Sequence, residues 1–369
     1  MKYNWQQKDW PVFTFDLQEI DDTLFTFAEE TGRTGGMLNA MSEDLQMETV
    51  INTMVAEAIK TSEIEGEYLN REDVVSSIRN NLGLNKKPDT IRDKKARGVG
   101  QLMVDVRESF PEPLTQEKLF LWHEMLMADD RYIQIGKWRT HQEPMQVISG
   151  AMSKEKIHFE APPSAQVPAE MTRFISWFNN TAPGGINEIK KAPVRAAIAH
   201  LYFESIHPFE DGNGRIGRAI AEKALSQTLG RPVLLSLSRT IEKDKKSYYG
   251  ALERAQQDNQ ITKWIKYFVD TTLAAQKQAG ELIEFILRKA KFFDRFKNEL
   301  NERQLKVIKR MMDAGPEGFK GGMNANKYIS LTKVSKATAT RDLQHLSDTG
   351  AVLVQGGGRS TRYILSMDI

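Results

Sequence analysis

From Asp44 onward the apolar positions Leu45, Met47, Val50, Ile51, Met54, Val55, Ala58 and Ile59 recur at helical spacing, predicting one amphipathic helix through DLQMETVINTMVAEAIKTSEIEGEYL that ends near Gly66. NREDVVSSIRNNLGL predicts a second helix, capped by Asn70 and stopped at Gly83. The stretch NLGLNKKPDT after it has the Gly, Asn and Pro content of a boundary. Past Pro113 helical periodicity dominates. LTQEKLFLWHEMLM, VPAEMTRFISWFNN, APVRAAIAHLYFESI and NGRIGRAIAEKALSQTLG each carry an apolar face, with Thr115, Pro168 and Pro193 near starts and Gly230 near a stop. MQVISGAMSKEKIHFEAPP interrupts them with two short β-prone runs around a polar turn, which predicts a hairpin between Met145 and Pro163.

Near the C-terminus, ERQLKVIKRMMDAG, ISLTKVSKATATRDLQHLSDTG and AVLVQGGGRSTRYIL read as a helix, a helix-turn-helix and a glycine-turned hairpin, the order of a winged helix. The fold class expected is mainly α, in three parts: an N-terminal helical extension over 1–100, a helical core with an inserted hairpin over 101–290, and a winged helix over 291–369. Trp122, Trp177 and Trp264 fall at apolar positions and are expected in cores.

Composition acts mainly by exclusion. A chain of 369 residues, 40% hydrophobic and 27% charged, with no run of about 20 apolar residues, has no membrane span to offer. The start, MKYNWQQKDWPVFTFDL, lacks the apolar core of a secretory signal, and a cytoplasmic location is expected. With no Cys there is no disulfide, thiolate metal site or cysteine nucleophile. The net charge of +2 does not by itself indicate nucleic acid. His123, His141, His158 and His200 show no paired metal spacing and are expected to pack rather than ligate.

One stretch changes the picture: HPFEDGNGRIGR, His207 to Arg218. GNGRIG matches the dinucleotide fingerprint, but that motif needs a strand before its first glycine, and AAIAHLYFESI patterns as a helix. The segment is instead helix, turn, helix. Gly212 and Gly214 would let a ligand approach the free amides at a helix N-terminus, a natural phosphate cradle. Arg215 and Arg218, three apart, are expected on one side, reaching one anion. Asp211 can hold a divalent cation if phosphates complete its shell, and His207 can take a proton from a hydroxyl. The plainer alternative, two helix caps and two solvated arginines, does not call for this whole set together.

HPFEDGNGRIGR resembles the signature of the Fic family, in the Fic/Doc superfamily, and the resemblance covers Pro113 to about Gly280. It implies a Fic-type core that transfers AMP from ATP to a Ser, Thr or Tyr hydroxyl of a target protein, releasing diphosphate. It also implies roles: His207 as general base, Asp211 as Mg²⁺ ligand, Gly212, Asn213 and Gly214 in the phosphate cradle, Arg215 and Arg218 on the polyphosphate. The hairpin from Ile148 to Phe159 resembles the family's flap, which docks the target segment by strand addition.

TSEIEG, Thr61 to Gly66, resembles the family's inhibitory motif, placed before the core as in its class II members. Thr61 and Glu65 share a helix face, and the Glu65 carboxylate is expected to reach Arg218 and take the place of a γ-phosphate. The opening YNWQQKDWPVFTFD, with SEIEGEYL and VVSSI, resembles an N-terminal extension found in one branch of these proteins. In the terminal segment Lys333, Lys336, Arg341, Arg359 and Arg362 outnumber Asp342 and Asp348, leaving DNA as a candidate partner beside protein contacts. The expected activity is therefore an autoinhibited protein adenylyltransferase using ATP and Mg²⁺. The alternatives are removal of AMP, with Glu65 serving water, and a DNA-binding regulator with a nucleotide-sensing core. A homodimer is compatible with either.

Overall fold

The structure, a computed structural model, describes residues 3–149, 156–316 and 318–367. It divides into two compact units, Met1–Gly32 with Val50–Lys277 and Arg33–Thr49 with Gln278–Ile369. In chain order the elements are α1 (Asp21–Asn39), α2 (Glu43–Ile64), α3 (Arg71–Asn81), α4 (Lys94–Glu108), α5 (Gln116–Met127), β1 (Gln146–Ser149), β2 (Lys156–Glu160), α6 (Val167–Asn180), α7 (Ala192–Ile206) and α8 (Asn213–Leu229). There follow α9 (Leu237–Lys243), α10 (Lys245–Ala255), α11 (Thr262–Phe296), α12 (Glu302–Met312), α13 (Ala325–Thr332), α14 (Lys336–Asp348), β3 (Val352–Gln355) and β4 (Arg362–Leu365). The fold is mainly helical, and among the described residues no helix is long and apolar enough to cross a membrane.

The larger unit is built around α7 and α8. α7 is buried along its whole length, its polar Arg195 and His200 included, which hydrogen bonds tie to neighbouring elements. Predicted caps are in place: Asn70 accepts from Asp73 N, Thr115 accepts from Lys118 N, and Gly230 ends α8 in the left-handed region. The stretch 81–90, which has the composition of a boundary, ends α3 and opens the connection to α4, both in this unit. Trp122 and Trp264 are fully buried. Trp177 is only half-buried, packing edge-on against Tyr202 at the margin of the core.

β1 and β2 form the expected antiparallel hairpin, with a register shift between Val147 and Ile148; the turn 150–155 lies outside the described residues. N-terminal residues brace its second strand. Trp5 Nε1 donates to Glu160 O at 2.7 Å, and the Tyr3 ring meets Phe159 edge-on at 5.1 Å.

In the smaller unit α12, α13 and α14 enclose an apolar core that includes Val307, Ile308, Met311, Tyr328, Leu343 and Leu346. β3 pairs with β4, and Met323 bridges to Tyr363 on the hairpin.

Candidate active site

α7 ends where His207 adopts φ 50° and ψ 61°, a left-handed conformation that costs a non-glycine residue about 1–2 kcal/mol. Buried Arg139 holds it there. Its Nε donates to His207 O at 2.8 Å, Nη2 to Pro162 O at 2.6 Å and Ile206 O at 3.3 Å, and Nη1 to Ser164 Oγ at 2.9 Å. One guanidinium thus joins the end of α7 to the segment leaving β2. Arg139→Ala leaves these buried acceptors without a donor, so a stability loss of about 3 kcal/mol or more is expected. A thermal melt reads it, and an unchanged midpoint would show the clamp to be idle.

The turn after His207 is closed by Asn213, whose side chain accepts from Phe209 N and donates to Phe209 O, both at 2.9 Å. That side chain is spent within the turn, so Asn213 has only its amide for a ligand. His123 packs as expected, stacked on Phe209 at 4.1 Å, and also holds the turn. Its Nδ1 accepts from Gly136 N at 2.9 Å, so in the neutral ring the proton is on Nε2, which donates to Asp211 O at 3.2 Å. Burial, the main cause, pushes this imidazole down to about 4. Gly212 has φ 80°, and a Cβ on it would come within 2.7 Å of Met127 Cε. Only glycine fits there.

α8 therefore begins with the amides of Asn213, Gly214 and Arg215 lacking a carbonyl one turn before them. The chain's own acid sits against this terminus. A Cβ on Gly214 would lie 2.3 Å from Glu65 Oε1, and that oxygen accepts from Arg218 Nη2 at 2.7 Å. Arg218 also donates from Nε to Thr61 Oγ1 at 2.8 Å and from Nη2 to Thr61 O at 3.0 Å. Arg218 and Thr61 are buried, whereas the Glu65 side chain is 29% exposed.

The two arginines do not share one anion in this arrangement. Gly66, at φ 81°, turns the chain at the end of α2, and Glu67 then meets the other arginine, accepting from Arg215 Nη1 at 2.6 Å while Lys95 Nζ holds its second oxygen at 2.6 Å. Glu67 was not singled out from the sequence. Its only signal is an acid two residues past Glu65.

The end of α2 is anchored from α10, where Lys245 Nζ donates to Glu63 O at 2.6 Å and Ile64 O at 3.2 Å. Nearer its middle, buried Glu57 accepts from Ser236 Oγ at 2.6 Å, from Ser238 N at 3.0 Å and from Ser238 Oγ.

The His207 side chain is 14% exposed. Burial, then the Arg139 charge, pushes its imidazole down to about 4, so the ring is neutral near pH 7 and able to accept a proton. Asp211 is exposed; its Oδ1 accepts from Gly212 N at 2.6 Å. It borders a cleft of about 290 Å³ shared with Glu67, Lys95, Asp129, Asp130, Arg131 and Tyr132. Among the described residues no group of three His, Cys, Asp or Glu side chains could hold a metal by itself. A single carboxylate suits a divalent cation only when phosphate oxygens complete the shell.

The remaining histidines have local partners. His158 meets Glu253 Oε2 at 2.9 Å, His200 meets Tyr248 Oη at 2.7 Å, and His141, on a connecting segment rather than a helix, meets Glu143 O at 2.8 Å.

Comparison with known proteins matches residues 113–225 to the Fic/DOC family and residues 3–84 to a domain of unknown function, DUF4172. A probable protein adenylyltransferase of Aquifex aeolicus is 27% identical over 164 residues, 44% of either chain. The protein adenylyltransferase Fic of Drosophila mojavensis is 28% identical over 102 residues, 28% of this chain and 18% of that protein. The chain thus spans less than half the length of these curated relatives. Among solved structures, a Fic family protein from Desulfovibrio desulfuricans superposes with a TM-score of 0.55 at 20% identity, covering 96% of this chain and 98% of that one. A Fic domain containing signaling protein from Bacteroides thetaiotaomicron gives 0.54 at 17% identity, covering 70% and 97%.

Proposed function

With residues 113–225 a Fic/DOC family domain, we propose that this chain transfers the AMP of ATP to a side-chain hydroxyl of a target protein, releasing diphosphate, and that Glu65 restrains the reaction. One observation carries this reading: the Glu65 carboxylate lies on Gly214 and Arg218 at the glycine-opened start of α8. An anion of the chain occupies the place where the geometry would hold phosphate oxygens.

In this mechanism His207 Nε2 takes the proton of the target hydroxyl as its oxygen attacks the α-phosphorus in line; the bond to the bridging oxygen breaks and diphosphate leaves. The amides of Asn213, Gly214 and Arg215, with Arg218 once Glu65 has withdrawn, hold the phosphate oxygens as charge develops. Mg²⁺ bound between Asp211 and the phosphates would neutralise part of that charge. The target segment docks along the β1–β2 hairpin, where Ile148 and Ile157 face each other, both about half exposed.

A second direction, hydrolytic removal of AMP from a modified protein, is favoured by one detail. Glu65 Oε1 accepts from Arg218, while Oε2 has no hydrogen bond among the described residues and can hold a water. Incubation with ATP labelled in its α-phosphate, followed for both self-labelling and loss of label from a modified substrate, separates the two directions. Neither gain nor loss of label, with ATP bound, would remove both.

We also propose DNA as a ligand of the smaller unit, because Asp342 does not oppose its basic residues. The Asp342 carboxylate is buried, accepting from Arg303 Nε and Tyr328 Oη, each at 2.9 Å. Lys333, Lys336 and Arg341 are exposed around the start of α14; the Arg359 side chain lies outside the described part of the structure. Replacing Lys336 and Arg341 together by alanine should weaken DNA binding and reduce the salt slope by about 0.9 per lost phosphate contact. Gel shifts at several salt concentrations measure it. No affinity in the intact protein at low salt would leave this unit a protein-contact module.

A further inference from the structure

Four buried polar atoms without a hydrogen-bond partner belong to the last two turns of α7 and the residue that ends it; Tyr202 Oη stands apart two residues along the helix, and the other three are His200 Nδ1, Glu204 Oε1 and His207 Nδ1. Such orphan groups are rare in folded proteins and call for a reason. The spacing of four and then three puts these three on one side of the helix. Glu204 is the middle member. Its Oε2 lies 3.7 Å from His207 Nδ1, and a Cβ built on Gly217 of α8 would lie 2.4 Å from Glu204 Oε1 and 3.2 Å from His200 Nδ1. Gly217 thus leaves the space in which the carboxyl and the second imidazole meet. His200 Nε2 is already bonded to Tyr248 Oη at 2.7 Å.

We propose that Glu204 is the positioning residue of His207: its side chain accepts the Nδ1 proton of the imidazole and thereby leaves the Nε2 lone pair facing the substrate hydroxyl. This deepens the adenylyl-transfer reading and rests on it for its consequence in catalysis. A neutral imidazole has one proton to place, and only the tautomer protonated on Nδ1 can act as a base through Nε2.

Glu204 does this as the neutral acid. The groups facing it are His200 and His207 at its own end of α7, Arg218 of α8, Glu65 of α2, and Tyr248 and Tyr249 of α10. Burial dominates and pushes the carboxyl up to about 8, with Arg218 opposing and Glu65 adding. A raised carboxyl keeps its proton below that value, so at neutral pH Oε1–H donates to His200 Nδ1 while Oε2 accepts from His207 Nδ1–H. Burial keeps His200 neutral as well, pushed down to about 4. Donors and acceptors are then matched among the three atoms, the Glu204 Oε2 to His207 Nδ1 separation of 3.7 Å closing by a small side-chain movement.

Glu204→Gln mimics the neutral acid, with an amide oxygen to accept from His207 and an amide N–H to donate to His200. Glu204→Met keeps the volume and removes both functions. The Gln variant should keep kcat within about threefold and leave the pH profile in place, while the Met variant should lose about tenfold or more in kcat with KM for ATP unchanged. Nitrogen NMR of His207 in the nucleotide-free protein supplies a readout independent of any transfer activity. The parent and the Gln variant should show the Nδ1–H tautomer, and the Met variant a mixture. The Glu204 backbone also acts on the His207 imidazole. If the backbone alone held the proton, a folded Met variant would keep the parental spectrum and rate, overturning the proposal. A Gln variant as impaired as the Met variant would overturn it too.

Discussion

Replacing His207 by alanine is expected to lower AMP transfer by about 10²–10⁴ while leaving ATP binding nearly intact. The separation follows from where things sit. In the proposed mechanism the proton acceptor is a side chain at the end of α7, whereas the groups that would bind phosphate are amides of the next helix and Arg218. A pH profile adds a second signature. Because burial and Arg139 hold the imidazole down at about 4, the acid limb of kcat/KM should fall near that pH, below the usual histidine range near 6.5. The sign is that of a base: activity is lost as pH falls through the folded value and is flat above it. An acid limb centred near 6.5, or an alanine variant with parental rates, would take His207 out of the proton transfer.

Glu65→Gly is expected to raise AMP transfer about ten- to hundredfold. A hydrogen bond between charged groups is worth about 1.5–3 kcal/mol, and with this one gone Arg218 is free for a phosphate. Thr61 would still hold Arg218 through two hydrogen bonds, so the guanidinium stays in place. Glu67 would still hold Arg215. The cost in stability should be about 2–4 kcal/mol, the lost charged hydrogen bond to buried Arg218 together with the glycine penalty. Any AMP-removing activity should fall in the same variant if Glu65 also places water. Parallel assays of transfer, removal and melting separate these effects. Parental transfer in a folded, ATP-binding Glu65→Gly protein would mean that control resides elsewhere.

Most of the site was legible in sequence because a dozen adjacent residues carry it, and adjacent residues keep their local geometry. The pairing of Glu65 with Arg218 was legible for another reason, a resemblance in two separate motifs. What was not legible depends on contacts that cross the chain. Arg139 lies 68 positions before the His207 carbonyl it holds, and nothing local to either residue links them. α4 was missed even though Asp93 caps it, accepting from Ala96 N, because Gly98 and Gly100 break the apolar pattern. Packing demands both: a Cβ on Gly98 would lie 1.8 Å from Met125 O, and one on Gly100 would lie 2.5 Å from Ser77 Oγ. Nor was it legible that Glu67 and Glu65 would each take one of Arg215 and Arg218, because helical spacing fixes the side a residue is on, not the partner that arrives there.

The clamp on Glu57 limits how the proposed restraint by Glu65 would be lifted. Glu57 and Glu65 lie on the same stretch of chain, eight residues apart, about 12 Å along a helix, and the first is held by Ser236 and Ser238. α2 is therefore pinned upstream of its last turns. Freeing Arg218 requires only those turns to fray, breaking the bonds to Thr61, Glu65 and the Lys245 ammonium, while the upstream half stays seated. Such an event belongs to local opening rather than global unfolding. Amide exchange along the helix should then show a gradient, slow up to Glu57 and faster from Thr61 onward. A regulator need grip no more than the residues just after Gly66 to work the whole device, like a hand on the short free end of a bar whose other end is bolted down.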